Sequence, residues 1–171
     1  MLQKPSSIER HTIAVLVDNE AGVLARVVGL FSGRGYNIES LTVAETDHAA
    51  RTSRITVVTS GTRQVIEQIE AQLGRLVSVH RVVNWTIAKP GIEREMALVK
   101  VSGHGEKRTE AMRIAEIFRA RVVDTTLASF VFEITGPPDK LDTFIDLMRP
   151  LGLLDMSRTG VAAIARGEGA M

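Results

Sequence analysis

The 171-residue chain has no cysteine. Disulfides, thiolate metal ligands and thiol nucleophiles are therefore excluded. Aromatic residues make up only 4% of it, with one Trp and one Tyr, which argues against the stacking platforms that hold single-stranded nucleic acid. Charge of one sign is lacking as well. Twenty-one Lys and Arg stand against 20 Asp and Glu, a formal net charge of +1, and with the two signs interspersed there is no basic footprint for a polyanion. No apolar run reaches the length of a membrane span. The first dozen residues lack the basic-then-apolar plan of a secretory signal, so the chain reads as cytoplasmic.

Catalytic signatures are scarce too. No Ser sits in a Gly-x-Ser-x-Gly elbow, and no Gly-x-x-x-x-Gly-Lys phosphate loop occurs. His11, His48, His80 and His104 fall in different segments without metal-ligand spacing. The Gly-x-Gly of "SGRGYN" reads as a helix C-cap with Gly33 or Gly35 at positive φ. That of "SGHGEKR" leads into a helix, where an anion is conceivable. The neighbouring carboxylates Asp18 and Glu20, and Glu93 and Glu95, read as solvated charge, and Arg51, Arg54 and Arg63 belong to no recognisable phosphate cradle. Nothing assembles a nucleophile, a base and an orienting group. The chain reads as a binding module.

Apolar residues make up 44% of the sequence, enough for the core of one large domain or two small ones. Extended runs alternate with amphipathic ones. "HTIAVLV" (His11 to Val17) is a buried strand by its β-branched content and length. Leu24, Val27, Val28 and Phe31 then recur at helical spacing within Val23 to Ser32. "YNIESLTVAE" and "SRITVVTSG" are strands either side of a polar turn, and Thr62 caps a helix carrying Val65, Ile66, Ile69 and Leu73. "VSVHRVVNW" completes a βαββαβ order. The plan then repeats. "EREMALVKVS" is a strand, Arg108 to Arg119 a helix with Ala111, Ile114, Ala115 and Phe118 inward, and "RVVDTT" and "SFVFEITG" two further strands. Pro137 and Pro138 open a last helix with Leu141, Phe144, Ile145 and Met148 on one face.

The fold class expected is α+β: two ferredoxin-like βαββαβ domains, each an antiparallel sheet with helices on one face. The expected boundaries are a polar extension (1–10), a first domain (11–86), a Pro-Gly linker (87–93) and a second domain (94–171). Ile13, Val15 and Val17 point opposite to Ala14 and Leu16, and both sets are apolar. The second sheet face or edge should therefore be covered, by another copy or by the second half.

The most informative stretch is "LVDNEAGVLARVVGLFSGRGYNIESL" (Leu16 to Leu41). A helix starting at Ala21 or Gly22 presents unpaired N–H groups and the positive end of its dipole, a site suited to a carboxylate. Gly22 allows close approach. Asn19 adds a donor and an acceptor for an amino acid, or alternatively it caps the helix; chemistry alone leaves both open. Asn37 lies at the mouth of an edge strand, where it can face the helix-1 loop of a neighbouring copy.

That stretch, extended to "LTVAETD", resembles the start of the acetolactate synthase (acetohydroxyacid synthase) small-subunit family, whose first half is an ACT domain. "EREMALVKV" and "RTGVAAIARGE" resemble the family's second half and tail, so the likeness covers nearly the whole chain. The resemblance implies a non-catalytic homodimer that activates a large catalytic subunit and confers feedback inhibition by valine or another branched-chain amino acid. The effector would lie between two ACT domains. Asn19 and Gly22 match its loop positions, Asn37 the partner-side position, and Ala21, Val23, Leu24 and Ile38 flanking positions. No cofactor is expected in this chain; thiamine diphosphate, Mg and FAD are expected in the catalytic partner. Two rival readings share the fold: a stand-alone ACT amino-acid-sensing module controlling another enzyme or regulator, and an enzyme on a ferredoxin-like scaffold.

Overall fold

The computed structural model describes residues 7–87 and 91–171. Parts of the expected extension (residues 1–6) and linker (88–90) lie outside the described residues. The chain forms two compact units, Met1–Ile92 with Val161–Met171, and Glu93–Gly160.

In the first unit the elements run β1 (Glu9–Asp18), α1 (Val23–Arg34), β2 (Ser40–Asp47), β3 (Thr52–Gly61), α2 (Arg63–Leu73) and β4 (Val79–Asn84). The strands lie in the order β2-β3-β1-β4, every pair antiparallel. Alternation along β1 decides which side becomes the core. Ile13, Val15 and Val17 meet Ile55 and Val57 of β3, with Val23, Val27 and Phe31 of α1 and Ile66, Ile69 and Leu73 of α2 above them. Each such buried side chain contributes about 1.5–3 kcal/mol of transfer free energy. Helix α1 stops where Gly35 takes a left-handed conformation (φ 69°), its N–H reaching the carbonyls of Phe31 and Ser32; Gly33 stays helical. Strand β2 begins at Ser40, four residues later than the sequence suggested. Tyr36, read as the start of that strand, instead packs its ring edge-on against Phe31, ring centres 6.3 Å apart.

The second unit repeats the order: β5 (Ile92–Ser102), α3 (Gly105–Phe118), β6 (Arg121–Thr125), β7 (Ser129–Gly136), α4 (Pro138–Gly152) and β8 (Leu153–Arg158). Its strands run β6-β7-β5-β8. Helix α3 starts three residues before the expected Arg108 and ends at Phe118, with Arg119 at φ 57° as its C-cap. The core joins Ala97, Val99 and Val101 of β5 and Phe130, Phe132 and Ile134 of β7 to Ala111, Ile114 and Ala115 of α3 and Leu141, Phe144, Ile145 and Met148 of α4. Phe132 and Phe144 meet edge to face, 6.1 Å apart. At one edge, Arg158 holds buried Glu95 with two hydrogen bonds of 2.8 and 2.6 Å and donates a third to Asp142 at 2.5 Å. These carboxylates, Glu95 foremost, raise the Arg158 pKa further above its ordinary value.

Both units thus carry the expected ferredoxin-like plan. The tail differs from the expected boundaries. Residues 161–171, assigned from sequence to the second domain, belong to the first unit. The cause is local packing and hydrogen bonding. A short strand, β9 (Ala162–Ile164), lies in this segment, and Ala163 packs with Ala14 and Trp85, with Val83, Ala165 and Met171 around them. Ala14 belongs to the sheet face turned away from the helices. Part of the cover expected over that face therefore comes from residues 161–171.

Candidate functional site

Strand β1 delivers the chain into the loop Asp18 to Gly22, and three ties fix that loop. The Asp18 N–H donates to the Ser78 carbonyl at 2.9 Å, and the Asn19 N–H to the Arg51 carbonyl at 2.7 Å. Arg51 itself sits at φ 51°, at the turn between β2 and β3. The third tie is a side-chain pair, His80 Nε2 to Asp18 Oδ1 at 2.6 Å. Asp18, read from sequence as solvated charge beside Glu20, is instead the partner of a β4 histidine.

The loop ends in Gly22, the N-cap of α1, at φ 84° and ψ −9° with no side-chain capping bond. The Asn19 side chain therefore does not cap the helix. The helix starts at Val23, one or two residues later than expected, and has no acidic residue in its first turn. Val23 is buried in the first core and anchors the helix, so only its backbone faces the loop's surroundings. Asn19, Ala21, Gly22 and Leu24 are exposed. A Cβ built on Gly22 would meet nothing within 4 Å. The glycine is required by its left-handed backbone, and the space above it is open. Arg26 folds back on this turn, its backbone N–H 3.0 Å and its Nε 3.4 Å from the Gly22 carbonyl.

Asn37 and Ile38 lie past the other end of α1. Asn37 is exposed, and its carbonyl accepts from Thr59 Oγ1 at 2.6 Å. Ile38 is half-buried against the first core. Strand β2, which they precede, is an edge strand of the sheet, as expected. Helix α1 has 12 residues and is therefore about 18 Å long. One chain groups Asn19, Ala21, Gly22, Val23 and Leu24 at one end of α1 and leaves Asn37 and Ile38 at the other.

The remaining candidates are engaged elsewhere. At "SGHGEKR", the Arg108 guanidinium lies 3.9 Å over the Phe130 ring and donates to the Thr126 carbonyl at 3.1 Å, which turns it away from any anion at that helix start. Arg63 pairs with Glu67, one turn along α2, at 2.8 Å. His48 lies 3.0 Å from Glu45. His11 is buried against Asn84. Among the described residues no group of three or more His, Cys, Asp or Glu is placed to hold a metal ion, and no helix is long and apolar enough to cross a membrane. The Asp18–His80 pair and the Arg51 carbonyl were not found from sequence. They lie 62 and 32 residues from the groups they hold, and no local pattern announces them.

Comparison with known proteins covers both units. The family model described as "AHAS small subunit-like ACT domain" matches residues 13–81, and that described as "Small subunit of acetolactate synthase" matches residues 94–167. The probable acetolactate synthase small subunit of Archaeoglobus fulgidus is 48% identical, over 93% of this chain and 98% of that one. The acetolactate synthase small subunit of Haemophilus influenzae is 46% identical, over 93% and 97%. In three dimensions the crystal structure of the acetolactate synthase small subunit from Thermotoga maritima superposes with a TM-score of 0.83 at 36% identity, covering 95% of this chain and all of that one. A fold of two βαββαβ units, the first with an ACT-type loop, and matches along nearly the whole length agree: the chain belongs to the acetolactate synthase small-subunit family.

Proposed function

We propose that this chain is a non-catalytic regulatory subunit that raises the activity of a large acetolactate synthase subunit and makes it sensitive to a branched-chain amino acid, valine foremost. The pathway served is branched-chain amino-acid biosynthesis. One observation carries the site assignment. The two groups of candidate residues sit at opposite ends of an ~18 Å helix, too far apart for one small amino acid to touch both within a chain. Pairing two copies antiparallel along the exposed edge of β2 resolves this. A two-fold axis there sets the two α1 helices head to tail, so the Gly22 end of one faces the Asn37 end of the other. The effector carboxylate then meets the N–H groups at the start of α1, its ammonium the amide of Asn37, and its side chain Leu24 and Ile38. Each dimer has two such sites, and occupancy is linked to the geometry of the interface.

This chain's own residues bind and orient the effector and perform no covalent step. Thiamine diphosphate, Mg and FAD are assigned to the catalytic subunit, where thiamine diphosphate supplies the carbanion chemistry of the synthase. Titration calorimetry with valine, leucine and isoleucine tests the site, and co-purification with a large subunit tests the partner. Saturable heat with at least one of the three is the expected result. Absence of heat with all three at millimolar concentration overturns the site, and no synthase subunit in the co-purified material overturns the partner.

A further inference from the structure

Residues 161–171 are tied to the first unit at two points, and both adjoin the candidate effector site. The Val161 N–H donates to Ser40 Oγ at 2.9 Å, and Thr42 Oγ1 donates to the Val161 carbonyl at 3.0 Å. Ser40 is the first residue of β2, two positions beyond Ile38. At the other tie, Arg81 Nη1 donates to the Ala170 carbonyl at 3.2 Å. Arg81 follows His80, the residue that grips Asp18 at the start of the effector loop. Between these ties Ala163 lies against Ala14 and Trp85. The segment thus touches the strand carrying the Asn37 half-site and the strand that holds the Gly22 half-site.

Its apolar side chains are Val161, Ala163, Ala165 and Met171, and Trp85 is buried against them, so release of the segment uncovers the indole.

We propose that residues 161–171 are a regulatory strap: seated on the face of the first sheet turned away from the helices, they hold both half-sites in the effector-binding arrangement, and strap seating and effector binding favour one another. The inference rests on the effector site proposed above and adds the element that senses it. By linkage, whatever the seated strap adds to effector affinity, the effector adds to strap seating.

Trp85 is the sole tryptophan and lies under the strap, so its emission reports seating. The test uses the full chain, L-valine as the probe, and two variants that cut the ties separately: the double substitution Ser40→Ala with Thr42→Val, and Arg81→Ala. With intact circular dichroism, each should show red-shifted Trp85 emission without valine, a return toward the wild-type spectrum at saturation, and calorimetric affinity lowered roughly 5-fold or more. Wild-type affinity in both variants overturns the strap. Weaker affinity with no change at Trp85 also overturns it, because the loss then lies in β2 or β4 themselves. Should the double variant fail to fold, Arg81→Ala decides by the same criteria. Absence of valine binding by the wild-type chain is a different failure: it removes the effector site and the strap together, whereas normal wild-type binding with indifferent variants removes the strap alone.

Discussion

His80 Nε2 lies 2.6 Å from Asp18 Oδ1, so β4 grips the first residue of the candidate effector loop. The side chains are 48% and 37% exposed, and an exposed pair of this kind contributes only about 0–1 kcal/mol to stability. Its effect should be positional. His80→Ala should leave the unfolding free energy within about 1 kcal/mol of wild type while weakening valine binding several-fold. Equilibrium unfolding and calorimetry on the same preparation check this; unaltered affinity would show that the loop keeps its place without the tether.

Gly22 separates charge from strain. Any L-residue at φ 84° incurs roughly 1–2 kcal/mol of backbone strain, but the space around a new Cβ is open, so neither Ala nor Asp should unfold the protein. Gly22→Asp places a carboxylate where the effector's own should sit, and valine inhibition of the reconstituted synthase should disappear while activation is largely kept. Gly22→Ala carries the strain without the charge and should stay valine-sensitive. Equal loss of inhibition in both variants would make backbone geometry, and not the anion site, the reason for glycine.

Asn84 has its orientation pinned on both sides. Its Oδ1 accepts from the Thr86 N–H at 3.1 Å and its Nδ2 donates to Glu70 Oε1 at 2.6 Å. The Nδ2 group then faces buried His11 Nδ1 at 3.2 Å, which must act as the acceptor and place the ring proton on Nε2. Nitrogen-15 chemical shifts should show this tautomer. Asn84→Leu should lower stability by roughly 2–3 kcal/mol, because it strands the partners of a satisfied network.

In the second unit, Arg158→Met should cost roughly 1.5–3 kcal/mol, since it leaves buried Glu95 without its two charge-assisted bonds. Arg158→Lys should recover only part of the loss, because an ammonium cannot reproduce the planar fork. Thermal melts of the two variants are the measurement. A fully stable lysine variant would mean that charge alone matters at this position.

Much of this architecture was legible because periodicity survives into packing. The apolar positions chosen on α1, α2 and α4 from spacing include every residue those helices bury, apart from Val23 at the start of α1. The loop Asp18 to Gly22 was legible as a helix entry for a different reason: an Asn- and Gly-bearing turn feeding straight into a helix constrains both geometry and electrostatics. Legibility failed where the determinant was distant or small. Ala162–Ile164 is a three-residue strand of mostly small side chains, without periodicity to betray that residues 161–171 return to the first unit. Whether Asn19 caps the helix was open in the sequence, because only the φ of Gly22 places the N-cap one turn of loop later. Tyr36 opened the expected strand, yet its ring serves the core beside Phe31.

The length of α1 has a genetic consequence. Under the proposed pairing, each site takes its Gly22 end from one chain and its Asn37 end from the other, so two different defects need not add. Gly22→Asp and Asn37→Ala homodimers should each be insensitive to valine. In a mixed dimer, one site collects both defects and the other receives neither. Co-expressing the two mutant alleles should therefore restore feedback to a fraction of the enzyme, whereas placing both substitutions in one allele and mixing it with wild type leaves every mixed site damaged.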